Sequence, residues 1–454
     1  MMSLLRYGLH IAVLSAFAFV QPLFNLLSRN AEFFVARRMG TADVLLFVIL
    51  AGLVLPVLLA APVVLIGMVS LRAARVVLHV AAGALAACIA LLAIKSLLPA
   101  AGGVVVACGI GIGVAFTLAY WRFRRIGTLL TMLAPAIVIF PTVFLVGSPV
   151  GRLAFSRNAS AQGGVAVPST TPVVLVVFDE FPTMSLMNGD RGIDAARYPH
   201  FAALAGEAYW FRNATTVAPG TEHAVPAILT GCVPDYELLP TLADHPRNLF
   251  TLLQGHHDLV VVEDVTHLCP ETDPQLRNRR PPLRRRFSLL TADLSVAFLH
   301  LLLPRDWTEG LPQVNRTWGD FWGLGRNEPA GQAATPADSS NDDKIAWLRR
   351  SGGRRPRKVV EFLDAIGPTD KPTLYFLHCF LPHAPWVYLP SGKQYCNPRE
   401  YWTIRSLQDE KWGPDPWAPI ESFQRHLLQV GFVDRILGAI VARLKQTGIY
   451  DRAL

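Results

Sequence analysis

The chain has 454 residues, 52% of them hydrophobic, and a formal net charge of +8. Its mean hydropathy of +0.33 excludes an ordinary soluble protein. The pI of about 9.3 does not point to nucleic acid. The first 148 residues hold ten Lys or Arg against two Asp or Glu, while the rest of the chain holds 32 of each sign. The basic balance therefore belongs to the apolar part, and no nucleic-acid partner is expected.

Five apolar stretches run over roughly 8–28, 43–69, 76–98, 103–121 and 127–148. Each approaches the ~20 residues that cross a bilayer as a helix. The first is too long, and too closely followed by others, for a cleaved signal peptide. Residues 1–148 are thus expected to form a membrane domain of about five transmembrane helices, with the lipid bilayer as partner. Few ionisable residues lie within the spans (Lys95 is near an end), which argues against a transporter.

The arginines set an orientation. Arg72 and Arg75 separate the second and third stretches, and Arg122, Arg124 and Arg125 the fourth and fifth. Positive loops stay inside, which places Arg6 and the N-terminus inside and everything after residue 148 on the outer face of the cell membrane. Arg29, Arg37 and Arg38 run against this rule, and Glu32 and Asp43 offset them only in part.

Residues 149–171, rich in Gly, Ser, Thr and Pro, read as a linker. From 172 to 454 strands alternate with helices. Val173–Phe178, Leu259–Val262 and Thr373–Leu377 are apolar throughout, as in strands buried on both faces of a parallel sheet. Helices are expected at 199–207, 222–230, 246–254, 357–365 and 422–446. The fold class is therefore a multi-pass α-helical membrane domain followed by an α/β sandwich with a mostly parallel central sheet. Residues 325–343 read as a loop or insertion. Cys88 and Cys108, within spans, read as small core residues. Cys232 with Cys269, and Cys379 with Cys396, are candidate disulfides in an oxidising compartment.

Ligands collect at the carboxyl ends of strands in such sheets. Asp179 and Glu180 end the first strand. Asp179 either serves a cation there or caps the turn at Pro182 and Thr183. Thr221 opens the helix in Thr-Glu-His-Ala-Val-Pro-Ala-Ile-Leu-Thr-Gly (221–231). A threonine there is either a plain N-cap or a nucleophile whose alkoxide a metal and the helix start stabilise. His383, in the stiff Leu-Pro-His-Ala-Pro turn (381–385), is a candidate substrate-binding or proton-donating residue. His378 reads as a structural hydrogen-bonding residue. Trp386, Tyr388, Tyr395 and Trp402 line a groove or fill the core.

In this order, these residues resemble the sulfatase-like branch of the alkaline phosphatase superfamily. The membrane-anchored layout is similar to that of lipoteichoic acid synthases and phosphoethanolamine transferases. Phe-Asp-Glu-Phe (178–181) resembles the family's first metal-ligand strand, and Ala-Ile-Leu-Thr-Gly (227–231) the end of the helix behind its nucleophile. Pro-His-Ala-Pro (382–385) resembles its substrate-binding histidine loop, and residues 424–438 the helix leading to its last metal strand.

The resemblance implies an alkaline-phosphatase-like fold over 172–454 and one divalent cation (Mn, Mg, Ca or Zn) held by Asp179, Glu180 and Thr221. It implies Thr221 as nucleophile and His383 as substrate contact. The substrate would be a phosphate or sulfate ester, a lipid-linked or envelope-glycan ester among the candidates. Sulfatases mature a Cys or Ser, in a Cys-x-Pro-x-Arg context, to formylglycine. Thr221, with Val225 at the arginine's place, argues instead for a direct threonine nucleophile. The resemblance also implies a later strand carrying an Asp-His pair, so a truncated chain, with the last part of the sheet and of the metal site missing, is expected at Leu454. The alternative is a catalytically inactive membrane protein with a binding or regulatory role.

Overall fold

A computed structural model describes residues 2–97, 101–155, 169–270, 282–308, 311–312, 314, 321, 346–349, 353–369, 371–395 and 415–454. The expected loop at 325–343, Cys396, Trp402 and most of the linker lie outside the described residues. The chain divides into two compact units, Met1–Asn158 with Asp273–Leu324, and Ala159–Thr272 with Gly325–Leu454.

The first unit is helical. Among the described residues five helices are long and apolar enough to cross a membrane: Leu4–Ser28, Thr41–Val69, Leu71–Lys95, Gly102–Arg122 and Arg124–Val146. Their outward faces carry large apolar side chains, such as Val57 at 62% exposure and Met68 at 75%. A surface of that kind is compatible with lipid rather than water around it. The first two helices each pass through one π-helical stretch, Ala16–Val20 and Leu50–Val54. The third and fourth pack at glycines. A Cβ on Gly83 would lie 2.1 Å from Thr117 Oγ1, and one on Gly113 would lie 2.6 Å from the Gly83 carbonyl. Only glycine permits this approach, the means by which helices gain contact where lipid supplies no hydrophobic drive. Inside the bundle His10 is satisfied on both ring nitrogens, by Tyr120 Oη at 2.5 Å and Thr131 Oγ1 at 2.9 Å. Cys108 is exposed on its helix rather than in a core.

A helix absent from the sequence reading, Leu283–Leu302, belongs to this unit. Its charges pair with two charged residues near the first and second spans. Asp293 pairs with Arg37, and Arg286 pairs with Asp43. Lys95 donates to the carbonyls of His300 and Leu301. Asp306, just beyond, accepts from the Gly102 amide at 2.9 Å. Partners for several membrane-flanking charges thus lie some 250 residues further along the chain. The stretch read as a linker begins with a short helix, Val150–Phe155.

The second unit is built on three parallel strands in the order β1-β3-β2: β1 Val173–Asp179, β2 Asp258–Val262 and β3 Thr373–Pro382. The helices that place the site are α1 Pro199–Glu207, α2 Thr221–Thr230, α3 Leu249–Leu253, α4 Arg354–Ala365 and α5 Trp417–Gln446. β3 is central and buried almost throughout, as its apolar run requires. Alternation along it separates two cores. Tyr375, Leu377, Cys379 and Leu381 pack with Phe362 of α4 and Phe432 and Ile436 of α5. Leu374 and Phe376 pack with Val225 and Leu229 of α2 and Phe250 of α3. On β1, Val173, Leu175 and Val177 join the α2 side. Leu454 exchanges two backbone hydrogen bonds with the other edge of β1, at Pro172 and Val174. The alkaline-phosphatase-like fold is a finer statement than this small parallel sheet carries.

One expectation changes in this unit. Cys232 is exposed, Cys269 is buried, and no disulfide joins them. Of the two readings for Tyr388 the core holds, since it stacks on Phe432 at 4.9 Å.

Asp434 of α5 gives a testable consequence of packing. It is 1% exposed and accepts from the Phe201 amide, in the first turn of α1, at 2.9 Å. Burial pushes its carboxyl up from 3.8 to about 6, outweighing the backbone donors of Phe201 and His200 that favour the anion. The folded state therefore holds a proton that the unfolded chain has already lost between these two values. Its contribution is full below pH 3.8 and falls away as pH rises through about 6. Asp434→Asn, which keeps an acceptor oxygen without the charge, is expected to raise the melting temperature by a few degrees at pH 8. It should give no gain at pH 4. Melting curves at the two pH values check this; an equal shift at both would refute it.

Candidate active site at the strand tips

Asp179, Glu180, Thr221, His378 and His383 all lie in the second unit. β1 ends in a register shift between Phe178 and Asp179, which turns the last residue of the strand. Thr221 is the first residue of α2, and its N-cap is Gly220. No side chain caps that helix. The Thr221 hydroxyl donates instead to Asp179, 3.1 Å from Oδ1 and 3.2 Å from Oδ2. The 3-10 turn after β1, Thr183–Leu186, likewise starts at Pro182 with no side-chain cap. Both capping alternatives are therefore unused, and the two groups are spent on each other across 42 residues of sequence.

Glu180 points elsewhere. Its φ of 55° is a left-handed conformation that costs a non-glycine residue about 1–2 kcal/mol. In that pose Oε2 accepts from the Ala384 amide at 2.7 Å and lies 3.6 Å from His383 Nδ1. Glu180 thus engages the histidine loop, while Asp179 engages the nucleophile candidate.

That loop is held from beneath. Arg355 of α4 donates to the carbonyls of His383 and Ala384, both at 2.6 Å. Gln429 of α5, fully buried, accepts from the amides of Val387 and Tyr388 at 3.0 and 3.1 Å. Its amide nitrogen donates to the carbonyls of Pro382 and His383 at 2.9 and 3.0 Å. His383 is 8% exposed, with Nδ1 2.6 Å from the Ala384 carbonyl. Beside the loop, Glu180, Trp386, Phe423 and His426 line part of an open cleft of ≈ 190 Å³. Tyr395 lies instead beneath the Arg425 guanidinium, 4.7 Å from it.

His378 does not behave as a structural hydrogen-bonding residue. It is 1% exposed, and among the described residues neither ring nitrogen has a hydrogen-bond partner. Nε2 is 3.9 Å from Asp179 Oδ2, too far for a hydrogen bond. Burial lowers its pKa, against the opposing pull of Asp179, Asp264 and Glu263, so the ring is neutral at pH 7. Next to it the Cys379 thiol is pushed up to about 12 by burial, which leaves it a protonated core group.

The sequence reading passed over the second strand tip. Glu263 and Asp264 follow the apolar run of β2 as Asp179 and Glu180 follow that of β1. Glu263 is already satisfied by Thr266 Oγ1 at 2.6 Å and the amides of Leu268 and Cys269 at 3.1 and 3.2 Å. Asp264 lies 3.9 Å from Lys358 of α4. Arg355 and Gln429 carried no sequence signal, because their role is to hold a loop distant in sequence.

Among the described residues no group of three or more His, Cys, Asp or Glu is placed to hold a metal ion. The donor chemistry still fits one at the tip of β1. Asp179 shares both oxygens with a hydroxyl, and a buried imidazole with unsatisfied nitrogens stands beside it. Compared with protein-family models, with curated proteins and with solved structures, the chain matches none.

Proposed function

We propose that this chain is a membrane-anchored, sulfatase-like hydrolase or transferase of the alkaline phosphatase superfamily. It acts on phosphate or sulfate esters at the outer face of the membrane through Thr221. The observation that carries this reading is the bond from the Thr221 hydroxyl to both Asp179 oxygens, made in place of a helix cap.

Asp179 and Thr221 would hold one divalent cation, with Glu180 as the further acidic ligand if its carboxylate swings from the histidine loop. When bound, the cation would lower the pKa of the hydroxyl and polarise an ester oxygen. Thr221 Oγ attacks phosphorus, or sulfur, as its proton passes to Asp179, and the bond to the leaving oxygen breaks. His383 contacts the ester and supplies the leaving oxygen's proton. In the second step water or an acceptor hydroxyl attacks the same centre, its proton goes to His383, and the Thr221 oxygen leaves and takes back the proton held by Asp179. The first turn of α2 favours the negative charge that builds on Thr221 Oγ.

The test is to trap the intermediate. The purified chain, incubated with an activated phosphate or sulfate ester and each of Mn²⁺, Mg²⁺, Ca²⁺ and Zn²⁺, is expected to gain one phosphoryl or sulfuryl group. Peptide mass analysis should place it on Thr221. No adduct with any cation and no turnover would favour the binding or regulatory alternative, for which the lack of a three-residue ligand cluster among the described residues speaks.

A further inference from the structure

We propose that His378 is the nitrogen donor of the cation site, and that the site therefore prefers Zn²⁺ to the hard cations Ca²⁺ and Mg²⁺. This rests on the reading of Asp179 and Thr221 as cation ligands.

Placement comes first. Side chains alternate along β3, and Leu374 and Phe376 face α2 and α3. His378 is the next in that series, so it faces the side on which α2 presents Thr221. Its partner in the register is Val177, two residues before Asp179. One face of one sheet thus brings a carboxylate, a hydroxyl and an imidazole together from three separate elements.

Distance comes second. His378 Nε2 and Asp179 Oδ2 are 3.9 Å apart. Two donors that each sit about 2.0–2.2 Å from one tetrahedral Zn²⁺ lie about 3.3–3.6 Å from each other. The observed gap is too long for a hydrogen bond and within about half an ångström of that separation, so a small side-chain shift brings both donors onto one ion.

Satisfaction comes third. A buried polar atom with no partner loses its bonds to water and gains nothing in return, and His378 has two such atoms. Native proteins rarely leave such groups without a water, an ion or a functional use. In the helical unit, His10 has the hydroxyls of Tyr120 and Thr131 on its two ring nitrogens; among the described residues no such bond reaches His378. The ring of Phe380, with its centroid at 5.2 Å, offers no polar atom.

The chemistry then follows from the donor set. Carboxylate and hydroxyl oxygens alone suit Mg²⁺, Ca²⁺ or Mn²⁺. Adding a neutral imidazole shifts the preference towards Zn²⁺, for which histidine nitrogen is a standard ligand.

The experiment uses the full chain in detergent, stripped of metal and titrated calorimetrically with Zn²⁺, Mn²⁺, Mg²⁺ and Ca²⁺. Zn²⁺ is expected to bind at least about tenfold more tightly than Ca²⁺. His378→Gln should lower Zn²⁺ affinity by at least about 10–100-fold, the range seen when only a group that supports a metal ligand is lost, and leave Ca²⁺ nearly unchanged. Asp179→Asn should weaken all four ions. Because His378→Gln alters a buried site and could fail to fold, a second arm leaves His378 in place. Zinc-edge X-ray absorption of the chain carrying one equivalent of Zn²⁺ should show imidazole scattering that persists in His383→Ala.

If Asp179→Asn weakens binding while His378→Gln keeps both affinity and Zn²⁺ preference, His378 is not a ligand and the proposal falls with the Asp179 reading intact. Loss of the imidazole signal in His383→Ala has the same meaning. If the unmutated chain binds no ion, or Asp179→Asn binds as well as it does, the reading of the site fails and the proposal with it.

Discussion

Thr221→Ala is expected to reduce kcat and kcat/KM together by about a thousandfold or more, close to 4 kcal/mol in the barrier. The reason is that, under the proposed mechanism, the substitution removes the attacking atom together with its hold on the cation. Stability should move less than the barrier. The hydroxyl caps no helix, and its bond to the Asp179 carboxylate is one hydrogen bond to a charged group, worth about 1.5–3 kcal/mol. Thr221→Ser keeps the oxygen and the bond to Asp179, so it should retain measurable turnover. Steady-state kinetics on a nitrophenyl phosphate and a nitrophenyl sulfate, with melting temperature recorded for each variant, separate these outcomes. Wild-type turnover in Thr221→Ala would remove the nucleophile from the mechanism.

Gln429→Leu is expected to be the most destabilising single change in the strand unit. One side chain serves four backbone groups: the amides of Val387 and Tyr388 and the carbonyls of Pro382 and His383. Leucine fills much of the same volume and offers none of these bonds. Arg355 still serves the His383 carbonyl and the Pro385 carbonyl still accepts from the Val387 amide at 3.1 Å, so two groups lose the partner Gln429 gave them. At about 1–3 kcal/mol each, the loss is roughly 4 kcal/mol, a large part of a domain's whole stability. The melting temperature should drop by about 10 °C. Gln429→Glu keeps the acceptor for the two amides but sets a buried carboxylate against the Pro382 and His383 carbonyls, so it should cost at least as much. A shift within about 2 °C for the leucine variant would show that the loop is held by other means.

The elements were largely legible in the chain because their signals are local. Apolar runs of strand length, five stretches of bilayer length, and Gly231 closing the Thr221 helix can each be read within about twenty residues. β1, β2 and β3 cover the runs Val173–Phe178, Leu259–Val262 and Thr373–Leu377, each extended by one to five residues at an end. The helix Leu283–Leu302 was missed for a related reason. Its apolar positions are less continuous than a span's, and its role shows only once Asp293 and Arg286 meet Arg37 and Asp43.

The site divides the same way. Asp179 and Thr221 stood out as a strand end and a helix start, but each had an equally plain capping role within its own segment. Only the packing of α2 on the sheet brought the hydroxyl to the carboxylate. The conformation of Glu180 likewise turned its side chain to the His383 loop, which no local pattern specifies. His378 read as one more polar residue in an apolar strand. That its nitrogens lack partners depends on every neighbour in the fold.

By itself, then, the sequence determined the helical membrane-type half, the parallel strands and the residues at their tips, since hydrophobic periodicity and length act over short windows. The tertiary structure alone decided which charges pair, which loop Gln429 and Arg355 hold, and that Asp179, Thr221 and His378 share one face. Those outcomes depend on contacts between segments 28 to roughly 250 residues apart, and no local propensity encodes them.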